Sequence, residues 1–331
     1  MTTSVTMLTN VQGGLGVGLL LSGSTYALED TFANRLVYEK RAILATGYNN
    51  QPNGGEPMLA YYRGPWAGRP AASALPVGAQ IIITDVGGAA SRWYTDGAFW
   101  RPVNNSILLA QSAVPSILLP AATAITATGA ITGLVALPYD PTALGVVPVY
   151  MFLGSLGGVN GLYYARFSSA TACQLYTDAA GTVQPSGLTA GAYAPTTSLA
   201  PLASITVPDS CMGLNGALRI STISSYPNNA NAKITRITLG ATTLQNASAT
   251  TTVSYSMSRT VRNRASQAMQ LSAASTAAAS GDGSGTSTAS PNITTVDTSQ
   301  AQTLAINGAL AAGGLATDYL ILEGYTVELL N

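Results

Sequence analysis

Histidine is absent from this chain and charge of either sign is scarce: 14 Lys and Arg balance 14 Asp and Glu in 331 residues, 8% in all. A soluble domain of ordinary composition carries about a quarter charged residues. The missing histidine removes the one side chain that titrates unperturbed between about pH 5 and 8, and with it the Ser-His-Asp and Cys-His catalytic arrangements. A net charge of zero leaves little repulsion to hold copies apart, so the composition suits a protein that is assembled with others.

Cysteine is nearly missing too. Cys173 and Cys211 cannot make a disulfide framework, and a zinc ion wants about four ligands. They read as two buried small hydrophobes, with a single bridge left open. Long hydrophobic runs are lacking. The stretch VQGGLGVGLLLSG (Val11 to Gly23) has no basic residues before it and is broken by glycines, and SILLAQSAVPSILL (Ser106 to Leu119) is interrupted by Gln111 and Pro115. Both fall short of the roughly 20 apolar residues of a membrane span. The expectation is cytoplasmic synthesis without a signal peptide, and no membrane insertion.

What is present is 47% hydrophobic residues with only 7% aromatics, so the apolar content is mostly Ala, Val, Leu and Ile set among Ser, Thr and Asn. That content supports a sizeable core and two or more domains. Abundant Thr and Val suit a pleated sheet better than a helix.

Four segments follow from the pattern. Residues 1–47 form a small α/β segment whose YALEDTFANRLVYEKRAIL reads as one amphipathic helix. Leu28, Phe32 and Leu36 fall at i, i+4 and i+8, with Glu29, Arg35, Glu39 and Lys40 on the other faces, Thr25 as cap and Gly47 after its end. Residues 48–75, rich in Asn, Gly and Pro, read as a semi-rigid linker that lies against something through Tyr61, Tyr62 and Trp66. Arg63 and Arg69 are too few there for nucleic-acid binding. Residues 76–105 read as a β meander: a strand from Gln80, a Gly87-Gly88 turn, a strand through Trp93, a two-residue Asp96-Gly97 hairpin turn, and a strand at Trp100. Residues 106–331 alternate short apolar runs such as GLYYARFSS, ALRISTISSY and DYLILEGYTVELL with turn clusters, the pattern of a jelly-roll-like β-sandwich. Within them Ser275 to Asn292 reads as a long exposed loop of low complexity. The fold class is therefore mainly β.

The run IIITDVGGAASRWYTDGAFWRPVN (Ile81 to Asn104), with its Trp-Tyr-x-Asp-Gly hairpin and second Trp, resembles a small meander of tailed-bacteriophage virion proteins. The β-rich remainder is similar in character to the sandwiches of phage head-fibre, tail-fibre and decoration proteins. The resemblance covers about 25 residues with specificity. It implies a virion location, a homotrimer, and an N-terminal part held by capsid or tail proteins through Leu28, Phe32, Leu36, Tyr61, Tyr62 and Trp66. It further implies a C-terminal sandwich facing the host surface, where a glycan is the expected contact. It implies no enzyme, cofactor or metal.

A carboxylate pair can hydrolyse glycosides without histidine, and the candidates are Asp85 with Asp96, or Asp318 with Glu323; turn-shaping and solvated roles compete with each. Arg259, Arg262 and Arg264 in SRTVRNR form the clearest basic cluster, a candidate contact for an anionic surface ligand or else a solvated strand end with intersubunit ion pairs. GGLGVG at Gly13 to Gly18 lacks the Lys-Ser/Thr of a phosphate loop. No acidic run has calcium-ligand spacing.

Overall fold

The computed structural model describes residues 2–7, 11–12, 19–20, 25–29, 42–44, 60–86, 90–104, 106–274, 278–280, 283–285, 290–310 and 317–330. The chain divides into two compact units, Met1–Ile107 with Asn331, and Leu108–Leu330. It is mainly β. Among the described residues the helical elements are 3-10 turns of three or four residues, at Trp66–Gly68, Ala72–Ala74, Pro141–Leu144 and Gly154–Leu156.

The first unit contains β1 (Thr2–Met7), β2 (Val11–Gln12), β3 (Leu19–Leu20), β4 (Thr25–Glu29), β5 (Ala42–Leu44), β6 (Ala60–Gly64), β7 (Gln80–Ile83), β8 (Ser91–Thr95) and β9 (Trp100–Pro102). β1 lies between β4 and β5, antiparallel to both. The amphipathic helix expected from Thr25 onward is corrected at both ends, because Thr25–Glu29 and Ala42–Leu44 are strands; residues 30–41, with Phe32 and Leu36, lie outside the described residues. The β-branched β1 sequence, TTSVTM, offers a ladder partner that outweighs local helical propensity.

The meander is a four-stranded sheet in the order β6-β7-β8-β9, with β6 parallel to β7. Residues 60–74, read as linker, thus supply a strand and two 3-10 turns to it. Period-2 alternation places Ile81, Ile83, Trp93, Thr95 and Trp100 in its core. The Asp96-Gly97 turn is longer than expected. Thr95 pairs with Trp100, leaving a four-residue loop that the Asp96 carboxylate closes by accepting the Ala98 and Phe99 amides at 2.9 and 2.7 Å.

The second unit holds β10 (Ser106–Ser112), β11 (Ser116–Leu118), β12 (Ala122–Ile125), β13 (Ala130–Leu134), β14 (Val146–Met151), β15 (Gly161–Ser169), β16 (Ala172–Tyr176), β17 (Gly191–Tyr193), β18 (Ala200–Val207), β19 (Ala217–Ser225), β20 (Lys233–Leu239), β21 (Thr242–Ala249), β22 (Ser254–Asn263), β23 (Gln270–Ser272), β24 (Ala278–Ser280), β25 (Gly283–Gly285), β26 (Asn292–Thr294), β27 (Gln302–Leu310) and β28 (Leu320–Leu330). A 13-stranded sheet runs β17-β12-β13-β16-β15-β14-β11-β28-β19-β22-β23-β26, with β10 also on β28, and a four-stranded sheet runs β18-β27-β20-β21. β18 touches β11 and β14, β27 touches β28, and β21 touches β22, so the small sheet covers the middle of the large one. Lys233, Thr235, Ile237 and Leu239 of β20 are buried in strict alternation.

A second core fills the other end of this unit, built from Ile117, Ile125, Ile131, Val147, Val149, Met151, Ala165, Phe167, Leu175 and Ile321 among others. Both cysteines are buried and not joined by a disulfide, and burial pushes the Cys173 thiol up to about 12. Part of the low-complexity segment is the β24-β25 hairpin; the rest lies outside the described residues except at its C-terminal end.

The titrating groups give a pH prediction. Burial raises Asp96, but the Phe99 and Ala98 amides and Arg101 together hold it below its ordinary value. The Thr142 amide lowers Asp140, the Val183 amide lowers Asp178, and the Ser299 hydroxyl lowers Asp297. These depressed carboxyls stabilise the fold above the unfolded value and lose that contribution as pH falls through about 4. Tyr226, Tyr319 and Tyr325 are raised by burial, so their contribution is present below about pH 10 and lost above it. With no histidine between these limits, the melting temperature is expected to stay level from about pH 5.5 to 8.5 and to fall on both sides. A slope through neutrality in a thermal melt series contradicts this.

Candidate functional site

The residues expected to grip a particle are used inside the first unit where they are described. Trp66 is 4% exposed, its ring 4.6 Å from that of Trp93 at 59°. The Arg69 guanidinium lies 3.9 Å over Trp66 and donates to its carbonyl at 2.8 Å. The Trp66 amide donates to Asp85 at 2.7 Å, Trp100 donates to the Pro70 carbonyl at 2.9 Å, and the Thr95 hydroxyl to the Ala72 carbonyl at 3.0 Å. These bonds strap residues 65–74 onto the sheet. Tyr62 is half-buried, its hydroxyl donating to Pro65 at 2.7 Å and sitting where a Cβ on Gly64 or Gly68 would meet it at 2.5 or 2.6 Å. Tyr61 lies in β6 and Leu28 in β4; their side chains are outside the described residues, as are Phe32 and Leu36.

The arginine cluster is divided by the pleat of β22. Met257, Arg259, Val261 and Asn263 point inward, whereas Arg262 and, just beyond the strand, Arg264 are exposed. Arg259 is 2% exposed, in register with Ile220, and burial pulls its guanidinium below its ordinary value. Arg262 reaches the Asn215 carbonyl at 3.5 Å. One anion cannot be gripped by all three. Arg262 and Arg264 remain available on the outer face.

The four candidate acids are committed to separate partners. Asp85 accepts the Trp66 amide, and Asp96 closes its loop and pairs with Arg101 at 2.8 Å. Asp318, 1% exposed, accepts from Asn229 at 2.8 Å and Asn231 at 3.0 Å. Glu323 occupies a β-bulge: Ile223 pairs with Gly324 and Ser224 with Leu322, leaving Glu323 without a partner across the strand. A bulge re-aims its side chain. Glu323 accepts the Tyr139 hydroxyl at 2.9 Å, and burial first, then this bond, raises Tyr139. Its other oxygen is buried with no hydrogen-bond partner.

Around this bulge lies a cleft of about 330 Å³ lined by Ser112, Ser221, Ser256, Glu323, Tyr325 and Thr326 among others. Gly324 is required beneath it, since a Cβ there would lie 2.9 Å from the Ser112 carbonyl oxygen. Its hydroxyls and one carboxylate can bind a polar, uncharged ligand but offer no second acid for hydrolysis. Glu323 and Gly324, side by side after the apolar run Leu320–Leu322, are the sequence signal for this bulge.

Large apolar side chains are also presented outward on the second unit: Val159 is 77% exposed, Ile293 56%, Val183 55%, and Leu162 and Ile223 52% each. Among the described residues no three His, Cys, Asp or Glu side chains are grouped to hold a metal, and no helix is long and apolar enough to cross a membrane. No protein-family model, curated protein or solved structure matches the chain.

Proposed function

We propose that this protein is a structural component of a tailed-phage virion: a homotrimeric fibre or decoration protein, anchored by its N-terminal unit and projecting a jelly-roll-like β-sandwich that contacts the host surface. It acts without catalysis, cofactor or metal. The observation that carries this reading is the pairing of an almost uncharged composition with exposed Val159, Leu162, Val183, Ile223 and Ile293 on an all-β unit. Apolar side chains left outward on a chain with so little charge call for a covering surface, and identical neighbours in closed cyclic symmetry supply one.

Mass photometry of the purified chain is expected to give about three times the 33.7 kDa of one copy, unchanged from about 0.1 to 1 M salt because the contact is apolar. A monodisperse monomer overturns the trimer, and failure of an antibody against the chain to label intact particles overturns the virion role. The second reading, a glycan-binding or glycan-hydrolysing spike, is favoured by the hydroxyl-lined cleft at Glu323 for its binding arm alone. Release of reducing sugar by the pure protein favours the hydrolytic arm.

A further inference from the structure

A polar cluster at the join of β19, β20 and β28 brings buried Lys233 and Asp318 together with half-buried Asn229 and Asn231. Lys233 is fully buried, and its ammonium donates to the carbonyls of Thr250 at 2.6 Å and Pro227 at 3.0 Å and to the side-chain oxygen of Asn229 at 2.9 Å. That same Asn229 oxygen accepts the backbone amide of Asn231 at 3.0 Å. The Asn229 side-chain nitrogen donates to Asp318 at 2.8 Å, and Asp318 is held by the Asn231 side chain at 3.0 and 3.1 Å. Buried Tyr226 and Tyr319 stand beside the cluster and are bonded to each other's segment, the Tyr319 hydroxyl donating to the Tyr226 carbonyl at 3.1 Å.

These are the parts of an amide-forming centre: an amine, a polarised carboxamide, a donor on its oxygen and a carboxylate on its leaving nitrogen. We propose that Lys233 and Asn229 join in an autocatalytic intramolecular isopeptide bond, with Asp318 as the proton carrier and the Asn231 amide as the oxyanion donor. With Nζ 2.9 Å from Oδ1 and a C=O bond of about 1.2 Å, the Asn229 Cγ lies within about 4 Å of the amine. A small change in χ1 of Asn229 or in the Lys233 side-chain torsions brings the two atoms to the roughly 3–3.5 Å of a near-attack conformer.

The step balances without any outside reagent. The Lys233 ammonium gives up one proton to Asp318 by way of the Asn229 carboxamide, which is bonded to the amine at 2.9 Å and to Asp318 at 2.8 Å, and the free amine adds to the Asn229 Cγ. The oxygen of that adduct receives the Asn231 N–H. As the adduct collapses, the C–Nδ2 bond breaks, Asp318 returns its proton to the departing nitrogen, and the second Nζ proton follows it, so that the nitrogen leaves as ammonium. Lys233–NH3⁺ and Asn229–CONH2 thus become an Nζ–Cγ amide and ammonium, with no change of oxidation state. Burial favours the chemistry by pulling the lysine below its ordinary value, against the opposing attraction of Asp318. The product staples the connector between β19 and β20.

Mass spectrometry of the full-length protein tests this. Trypsin cuts after Arg219 and Arg236, and the reacted chain is expected to yield peptide 220–236 uncut at Lys233 and lighter by one ammonia, about 17 Da. Asp318→Asn and Lys233→Arg are expected to give the unmodified mass, and fragment ions of the wild-type peptide to show the branch between Asn229 and Lys233, which holds the test even where a variant folds poorly. A wild-type peptide cut at Lys233 and of sequence mass overturns the proposal, as does one about 1 Da heavier, which marks hydrolysis of Asn229 instead. Retention of the ammonia deficit in Asp318→Asn overturns the role given to Asp318.

Discussion

Replacing Trp93 with alanine is expected to remove about 3–5 kcal/mol from the stability of the N-terminal unit. Trp93 is fully buried, its ring packed on Trp66, and its indole N–H donates to Ser91 at 2.8 Å. Truncation leaves a cavity beneath Trp66, whose other face carries Arg69, so the ring has no neighbour with which to refill the space. The measurement is unusually clean, because Trp66, Trp93 and Trp100 are the only tryptophans and all lie in this unit. Tryptophan emission in a denaturant titration therefore reports its unfolding without interference from the β-rich second unit. The midpoint should fall sharply for Trp93→Ala, by less for Trp93→Phe, and hardly at all for Val77→Ala, a site 75% exposed. An unshifted midpoint in Trp93→Ala means the tryptophan pair is not what holds the meander closed.

How far the fold could be read beforehand depended on whether a strand carried its own apolar pattern. GLYYARFSS, ALRISTISSY and DYLILEGYTVELL each read as β, and each contains a strand, β15, β19 and β28. Strands with weak side chains were passed over. β21, TTLQNASA, buries only Leu244 and Gln245 and so shows little more than its place in a ladder, while β18, APLASITV, opens on Ala and Pro and buries Leu202, Ile205 and Val207 out of step with a strict period of two. Their identity comes from pairing with β20 and β27, which is long-range information. The helix read at residues 26–44 failed at its described ends for the converse reason: spacing at i and i+4 is a local signal, and β1 competes for the same backbone.

The site was less legible because burial and polarity are inverted here. Lys233, Arg259 and Asp318 are each 2% exposed or less, while Ile223 and Ile293 stand outside. Composition assigns charge to the surface, and for these three of the chain's 28 charged side chains the assumption fails. Strand periodicity alone would have divided Arg259 from Arg262, since an odd separation puts residues on opposite faces. Nothing local announces that Asn229, Lys233 and Asp318 meet, because 85 residues of sequence separate the lysine from the aspartate that approaches its amide partner.

Replacing Gln270 with leucine is expected to cost about 4 kcal/mol or more, although the change is toward a hydrophobic residue at a fully buried position. Gln270 uses all of its hydrogen-bonding capacity. Its nitrogen donates to Asn263 at 3.1 Å and to the Gln267 carbonyl at 3.0 Å, and its oxygen accepts the Thr294 hydroxyl at 3.1 Å and the Val296 amide at 2.9 Å. Asn263 in turn donates to Gly213 at 2.6 Å and to Thr298 at 2.9 Å, so one side chain ties β22, β23, β26 and the 210–216 turn together. Leucine strands the Val296 N–H and the Thr294 hydroxyl in a dry interior, where each unsatisfied group costs about 1–3 kcal/mol. Gln270→Glu separates the hydrogen-bond account from one of shape. Glutamate has the same outline, but ionised it turns two donors into acceptors facing the Asn263 and Gln267 oxygens. Burial raises such a carboxyl above its unfolded value, so this variant is expected to be weaker at pH 7 and to gain stability toward about pH 5.5 as the group protonates and regains a donor. Wild type should be level over the same interval. Parallel thermal melts of the two proteins decide it: equal pH profiles mean that position 270 is held by packing, and a gain confined to the glutamate variant means that it is held by its hydrogen bonds.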